Sequence, residues 1–89
     1  MTVADVVGQA LVRAGIDAVF GVVGSGNFVV TNAMVAAGAR YVAARHEGGA
    51  ATMADAYARM TGGPAAVTLH QGCGLTNALT GMTEAAKSR

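Results

Sequence analysis

The 89-residue chain has few charges, few aromatic residues and one cysteine. Charged residues make up 12% of the sequence and the formal net charge is +1, so the chain lacks the basic surface typical of nucleic-acid-binding proteins. A single cysteine cannot form an intramolecular disulfide, which fits a reducing compartment. No apolar run approaches the ~20 residues of a membrane-spanning helix, and the N-terminus does not resemble a signal peptide. We therefore expect a cytoplasmic protein with no nucleic-acid or membrane partner.

Small apolar residues dominate what remains. Hydrophobic residues make up 53% of the chain, which also has thirteen glycines, two Phe, two Tyr and no Trp. Alanine and valine suit close packing of helices on a sheet better than a core built around large aromatic rings. A chain of this length forms at most one small domain, which buries only a limited fraction of its surface. So much apolar sequence in so short a chain indicates a part of a larger structure.

The spacing of apolar residues predicts alternating helices and strands. Short apolar runs at 18–23, 41–44 and 65–69 read as strands, and segments with helical periodicity precede, separate and follow them. The first helix begins with a capping box at Thr2, and Asn27 is predicted to cap the second. Continuous apolar strands alternating with helices favour a parallel sheet covered on both faces. The predicted fold class is therefore a three-layer α/β/α domain.

Polar or glycine-rich residues follow each predicted strand. The three junctions are Gly24–Asn27, Arg45–Glu47 and His70–Gly74. Right-handed crossovers place the carboxyl ends of parallel strands at one edge of the sheet, where open α/β sheets bind ligands. We therefore expect the three junctions to line one shared site.

Glu47 is the residue of greatest interest because it lies between an apolar strand and an almost uncharged helix. Burial of a lone carboxylate is unfavourable, and chains that retain one generally use it for chemistry. The alternative is a first-turn acid that interacts with the helix dipole, a contribution of ~0.3–1 kcal/mol. Both interpretations stay open on sequence alone, and the neighbouring His46 is expected to be structural.

The other two junctions carry weaker signals. Gly24–Asn27 lacks the glycine patterns of phosphate-binding loops, so a tight turn is the favoured interpretation, with Ser25 able to hydrogen-bond a small substrate. A lone histidine such as His70 is more often structural than catalytic. Cys73 is expected to be a small filler, because no dedicated base accompanies it. No pair of residues has metal-ligand spacing, so no metal site is predicted in this chain.

These residues together resemble a known enzyme family. Arg45–Glu47, the alanine-rich helix that runs to Gly62, and the segments 15–21 and 72–81 are similar to thiamine-diphosphate enzymes that act on 2-keto acids. Acetolactate synthase and benzoylformate decarboxylase are members, and the resemblance covers essentially the whole chain. It implies that residues 1–89 are the first half of an N-terminal domain that binds the cofactor's aminopyrimidine ring. The implied fold is flavodoxin-like and incomplete in this chain.

The resemblance also assigns roles to residues. Glu47 would hydrogen-bond ring nitrogen N1′ and take part in proton transfer, with a pKa raised by an apolar pocket. His70 would be a second catalytic residue. Residues near the cofactor would be Gly24, Gly72, Gly74 and Asn77. Residues that contact the substrate would be Ser25, His70 and Gln71.

The resemblance is less specific for the subfamily than for the family. The resemblance implies formation or cleavage of a carbon–carbon bond next to the carbonyl of a 2-keto acid, most simply by an acetolactate-synthase-like transferase. His70 and Ser25 favour a benzoylformate-type decarboxylase as the alternative. Residues 71–74, Gln-Gly-Cys-Gly, depart from the Ser-Gly-Pro-Gly turn common in acetolactate synthases.

The family also binds the cofactor's diphosphate through Mg²⁺ and a Gly-Asp-Gly…Asn-Asn segment, usually of a neighbouring subunit. That segment is absent from this sequence. The expected partners are therefore a 2-keto acid and a partner subunit in a homo-oligomer, with FAD possible in the parent protein, and the isolated chain is expected to be inactive. A non-catalytic fragment or a small α/β nucleotide-binding module is the alternative from a different class.

Overall fold

The fold alternates helices and strands in the order that the apolar periodicity predicts. In this computed structural model, which describes residues 1–88, four helices and three strands follow one another as α-β-α-β-α-β-α. The helices are α1 (Val3–Arg13), α2 (Phe28–Ala36), α3 (Glu47–Thr61) and α4 (Cys73–Ser88). The strands are β1 (Ala18–Gly21), β2 (Arg40–Ala43) and β3 (Ala66–Thr68). The predicted order of elements is confirmed, although β1 and β3 are each two residues shorter than predicted.

The three strands form a parallel sheet in the order β2-β1-β3. The central strand β1 is buried along its whole length, whereas β2 and β3 are partly exposed. Alternate residues of β1 face opposite sides of the sheet, as the two-residue period of a strand requires. Val19 packs with Met34 and Ala39 on one face, and Ala18 and Phe20 pack on the other.

Helices lie on both faces of the sheet. The pair α1 and α2 packs over the face that Val19 reaches, whereas α3 packs against the opposite face and α4 packs against α3. Ala50 and Ala54 of α3 join Phe20 in the second core, where the ring of Tyr57 packs against that of Phe20 with centroids 5.6 Å apart. The predicted three-layer α/β/α architecture is confirmed.

Each pair of helices has a close contact at a glycine. A Cβ added to Gly8 of α1 would lie 2.7 Å from the Cβ of Ala33 in α2. A Cβ added to Gly81 of α4 would likewise lie 2.7 Å from the Cβ of Ala51 in α3. Such distances do not occur between real side chains, so both contacts depend on the missing side chain.

The ends of the helices mostly follow the predicted signals. Thr2 and Asp5 form the predicted capping box at the start of α1, and Gly62 ends α3 in the left-handed conformation with φ 76°. The predicted junction His70–Gly74 is too long, because Cys73 and Gly74 belong to α4 and not to the preceding turn. Cys73 is exposed, so the expectation that it fills the core is wrong.

Within residues 1–88, no helix combines the length and the apolar character needed to cross a membrane.

Candidate functional site

The three polar junctions meet at the carboxyl edge of the sheet, as predicted. The strands are parallel and end at Gly21, Ala43 and Thr68, so the segments that follow them leave from the same side. The segment after central β1 leads to α2 on one face. Those after β2 and β3 lead to α3 and α4 on the other face. Adjacent strands whose connections leave in opposite directions create the crevice in which open α/β sheets bind ligands.

Glu47 and Asn77 are joined across the start of α3 and the second turn of α4. The Nδ2 group of Asn77 donates a hydrogen bond to Oε1 of Glu47 at 3.1 Å. The other carboxylate oxygen lies beside Gly74, where an added Cβ would be 3.8 Å from Oε2. An added Cβ on Gly48 would be 3.3 Å from the carbonyl oxygen of Asn77, so the two helices run close together here. Small residues therefore surround a carboxylate that has one oxygen fixed by an amide.

The electrostatics of Glu47 differ from the sequence-based expectation. The carboxylate is half-buried, not enclosed in an apolar pocket. Its own backbone N–H at the first turn of α3, followed by the side chain of Asn77, lowers the pKa of Glu47 below its ordinary value. The expected rise in pKa is therefore wrong for this chain, because hydrogen bonds to the charged form outweigh its partial desolvation. The carboxylate is ionised at neutral pH and acts as a hydrogen-bond acceptor.

His46 has the structural role that was expected. Its Nδ1 atom accepts a hydrogen bond of 2.9 Å from the backbone N–H of Gly48, which caps the N-terminus of α3. The capping bond satisfies one of the backbone donors that a helix leaves unpaired in its first turn. His46 thus fixes the start of the helix from which Glu47 projects.

His70 packs against the glycine-rich segment that follows β1. The backbone N–H of Gly26 donates a hydrogen bond of 3.1 Å to Nδ1 of His70. An added Cβ would lie 3.0 Å from the ring Cγ at position 24 and 2.8 Å from Cε1 at position 26, so both glycines are needed for this contact. The exposed Ser25 lies between them. The first and third junctions are therefore in direct contact.

Asn27 differs from its predicted role. It occupies the N-cap position of α2, but its side chain makes no capping hydrogen bond. Its Oδ1 atom accepts from the N–H of Gly24 at 2.7 Å, and its Nδ2 atom donates to Oγ1 of Thr68 at 2.9 Å. Thr68 in turn shares a hydrogen bond of 3.0 Å with Thr31, which is only 3% exposed.

Sequence reasoning missed Thr31 and Thr68. Thr68 is a lone hydroxyl at the end of an apolar strand, and Thr31 follows Asn27 by one helical turn among apolar residues. Polar side chains in such surroundings are a usable signal, because buried hydroxyls need partners.

The remaining predicted residues lie in the segment between β3 and α4. Gln71 is exposed, and its Oε1 would lie 3.0 Å from a Cβ added to Gly26. Gly72 has the left-handed φ of 71° and starts the turn into α4. The predicted residues thus form two clusters at one edge, and no side-chain hydrogen bond joins them within residues 1–88. One cluster holds Glu47, Gly74 and Asn77. The other holds Gly24, Ser25, His70 and Gln71.

No three metal-ligating side chains come together in the described part of the chain, residues 1–88.

Comparison with known proteins identifies the family. The whole chain, residues 1–89, matches the family described as "Thiamine pyrophosphate enzyme, N-terminal TPP binding domain"; thiamine pyrophosphate is the same compound as thiamine diphosphate. The chain therefore belongs to the thiamine pyrophosphate enzyme family and carries sequence of its N-terminal cofactor-binding domain, which confirms the resemblance.

Several curated enzymes are similar to the chain over most of its length. A probable 2-ketoarginine decarboxylase of Pseudomonas aeruginosa is 42% identical over 82 residues, which cover 88% of the chain. An acetolactate synthase of Bacillus subtilis is 39% identical and covers 92% of the chain. A sulfoacetaldehyde acetyltransferase of Rhodobacter capsulatus is 34% identical and covers 96%. The chain spans only 14–15% of the length of these relatives.

Proposed function

We propose that this chain forms the aminopyrimidine-binding half of a thiamine diphosphate site. It would be the first half of the N-terminal domain of a longer enzyme, which makes or breaks a carbon–carbon bond next to the carbonyl of a 2-keto acid. The observation that carries this proposal is the position of Glu47, a carboxylate at the carboxyl edge of the sheet, fixed by Asn77 and bordered by Gly74.

The residues around Glu47 fit an aminopyrimidine ring. Asn77 engages Oε1, and the remaining lone pairs of an ionised carboxylate can accept further hydrogen bonds. Gly74 presents no side chain beside Oε2, so a ring that approaches this oxygen meets no side chain at that position. When bound, the cofactor supplies the electron sink for chemistry at the carbonyl carbon. Glu47 would hold the ring and exchange a proton with it at Oε2, while Asn77 keeps the carboxylate in one orientation.

The pKa of Glu47 connects the free chain with the bound state. In this chain Glu47 is ionised at neutral pH because its pKa is lowered. A ring that covers the half-exposed carboxylate would displace water, and desolvation raises the pKa of a carboxyl group. Binding would therefore move Glu47 from a hydrogen-bond acceptor towards a group that can share a proton.

The reaction class follows from the relatives and from the second cluster. An acetolactate-synthase-like transferase is the first candidate, in line with the similar acetolactate synthase and acetyltransferase. A 2-keto acid decarboxylase is the second, because His70 and Ser25 lie in one loop cluster and a similar relative is named as a decarboxylase. Product analysis with the complete enzyme separates the two, since a transferase joins the decarboxylated unit to a second carbonyl compound and a decarboxylase releases it as an aldehyde.

The rest of the proposed site lies outside this chain. Mg²⁺ and the cofactor's diphosphate would bind to a domain of a partner subunit in a cytoplasmic homo-oligomer, and the parent protein could also hold FAD. Sequencing the reading frame on both sides of these 89 codons tests this directly. A frame that encodes a Gly-Asp-Gly…Asn-Asn segment agrees with the proposal, and a frame without one contradicts it.

Calorimetry on the 89-residue chain addresses the alternative of a small nucleotide-binding module. A half-site without the diphosphate site is expected to bind thiamine diphosphate weakly. Nanomolar binding of the cofactor by the chain alone would contradict the half-site proposal, and tight binding of a mononucleotide at Gly24–Asn27 would support the module.

Replacing Glu47 tests the function itself. In the complete enzyme, Glu47→Gln keeps the size of the side chain but removes the carboxyl group, so turnover should fall by ~10²–10⁴, the usual contribution of a positioned acid or base. Asp55→Asn is the matched control, because Asp55 lies on the same helix in an ion pair with Arg59 and outside both clusters. The control should change turnover by less than about two-fold, since surface ion pairs contribute little. Near-normal turnover of Glu47→Gln would rule out the proposed role.

A further inference from the structure

A closed ring of hydrogen bonds lies beneath the segment that follows β1. Thr31 Oγ1 donates to the carbonyl oxygen of Asn27 at 2.8 Å, so its proton is already used and its oxygen must accept the bond that it shares with Thr68. Thr68 therefore donates to Thr31, and its own oxygen accepts from Nδ2 of Asn27. The ring runs from the Asn27 side chain through both hydroxyls back to the Asn27 backbone.

The ring leaves Asn27 with little freedom. Each hydroxyl donates once and accepts once, and the side-chain oxygen of Asn27 holds the N–H of Gly24 at 2.7 Å. These hydrogen bonds are partly buried, and fully satisfied polar networks restrict the geometry of the groups they join. Asn27 thus ties the backbone at Gly24 to the end of β3, two residues before His70.

The same segment determines the tautomer of His70. The N–H of Gly26 is a donor only, so Nδ1 of His70 must present a lone pair and the ring proton must be on Nε2. No hydrogen bond within residues 1–88 engages Nε2, so this N–H group is free to bind a ligand.

We propose that Asn27 is a positioning residue that holds the backbone of Gly24–Gly26. Gly26 in turn fixes His70 as the Nε2–H tautomer, in which Nε2–H donates a hydrogen bond to an oxygen of the substrate. The part of this inference that concerns substrate rests on the proposed function. The part that concerns the tautomer rests on the hydrogen bonds alone. Asn27 acts through His70 and does not itself touch the reacting atoms.

Nitrogen NMR of the ¹⁵N-histidine-labelled chain tests the tautomer. The chain has two histidines, and His46 serves as an internal reference, because its Nδ1 also accepts from a backbone N–H that Asn27 does not contact. At an alkaline pH where imidazole is neutral, His70 should carry its proton on Nε2. Detection of the proton on Nδ1 in the unsubstituted chain would overturn the inference.

Substitution of Asn27 tests its positioning role in the same spectra. Asn27→Ala should accelerate amide exchange at Gly26 by about five-fold, since the hydrogen bond to His70 is no longer held in place. It should also introduce a population of His70 with the proton on Nδ1, while His46 stays unchanged. Asn32→Ala is the control, because Asn32 is exposed on the same helix and lies outside the ring. Equal behaviour of the two variants would contradict the inference.

Thr68 provides a second test that does not require the isolated chain to fold. In the complete enzyme, Thr68→Val keeps the branched shape but breaks the ring, whereas Thr68→Ser keeps the hydroxyl. We expect the valine variant to raise the KM for the 2-keto acid by about five- to ten-fold, the effect of one misplaced hydrogen-bond donor, and the serine variant to restore it. Cofactor affinity, which depends on the separate Glu47 cluster, should change less than the KM. An unchanged KM in the valine variant would overturn this inference.

The two proposals fail separately. If Glu47→Gln retains turnover, the proposed function is wrong whatever Thr68 does. If Glu47→Gln abolishes turnover while Thr68→Val behaves like the unsubstituted enzyme, only the role of Asn27 is wrong.

Discussion

The two helix layers of this chain pack in the same way but differ in what their packing achieves. The α1–α2 and α3–α4 pairs each have a close contact where a glycine meets an alanine, Gly8 with Ala33 and Gly81 with Ala51. Within residues 1–88, no side-chain hydrogen bond joins α1 to α2, whereas Asn77 of α4 donates to Glu47 of α3. The first contact serves the core alone. The second lies one helical turn from the hydrogen bond that holds the Glu47 carboxylate, the group to which we assign a function.

The spacing along the helices explains how packing controls the site. Ala51 follows Glu47 by one helical turn, and Gly81 follows Asn77 by one helical turn. Residues four apart lie on the same face of a helix, so the glycine–alanine contact lies directly next to the carboxylate–amide pair. We therefore expect a change in the distance between the two helices at Gly81 to change the length of the Glu47–Asn77 hydrogen bond.

Replacing each glycine with alanine should give the largest difference between the two layers. Gly8→Ala and Gly81→Ala both force helices apart, so each should lower the free energy of unfolding by ~1–3 kcal/mol, as overpacked cores do. Only Gly81→Ala should also weaken cofactor binding in the complete enzyme, because it moves Asn77 away from Glu47. Denaturant titration and cofactor calorimetry are the two measurements.

Gly49→Ala is the control for this pair, since an added Cβ there meets no atom within 4 Å. It should stabilise the fold by ~0.5–1 kcal/mol through helix propensity alone. Equal cofactor affinity in Gly8→Ala and Gly81→Ala would contradict the difference between the layers.

Breaking the capping box of α1 should have a smaller effect, because α1 contributes no residue to either cluster of predicted site residues. Thr2→Ala removes the hydroxyl that accepts from the N–H of Asp5 at 3.2 Å. The free energy of unfolding should fall by ~0.5–2 kcal/mol, the usual contribution of an N-cap, with no change in cofactor affinity. Thr2→Ser keeps the hydroxyl and should remain stable. A loss of cofactor affinity in Thr2→Ala would mean that α1 also influences the site.

Removing the amide of Asn77 should have the smallest effect on stability and the most specific effect on pH dependence. The pKa of Glu47 is lowered by its backbone hydrogen bond and by Asn77. A lowered pKa stabilises the folded chain above the unfolded pKa, and this stabilisation disappears as the pH falls through the folded pKa. In Asn77→Ala the pKa of Glu47 should rise towards its ordinary value, so the stabilisation should be smaller and its loss should be complete at a higher pH.

Carbon NMR of the Glu47 carboxyl group during an acid titration measures this rise directly. Thr80→Ala is a suitable control, because Thr80 is exposed on the same helix one turn further on. A Glu47 pKa that is equal in Asn77→Ala and in the unsubstituted chain would show that Asn77 does not stabilise the ionised carboxylate.

The order of elements and their shared edge could be read from the sequence because both depend on local patterns. Apolar periodicity separates strands from helices, and parallel strands with right-handed connections leave little choice of topology. The environment of Glu47 could not be read in this way. Its exposure depends on which elements cover the carboxyl edge, and its pKa depends on an amide thirty residues further along the chain.

Asn27 shows the same limit at a single residue. An asparagine before a helix is a good N-cap candidate by local rules, but this one bonds a threonine 41 residues away. The local rule assigned its position correctly and its hydrogen bond wrongly, because a partner on a distant strand competes for the same side chain. The contact of Gly24 and Gly26 with His70 was not predicted for a similar reason, since the ring that they accommodate lies more than forty residues further along the chain.

Because His70 contacts the two glycines before Asn27, the sizes of the residues at these three positions depend on one another. The imidazole fills the volume that side chains at positions 24 and 26 would otherwise occupy. A homologue with a small residue in place of His70 has room for an alanine in this segment, and a homologue with both a large residue and an alanine does not. Redesign of this segment therefore means exchanging the histidine and the two glycines together.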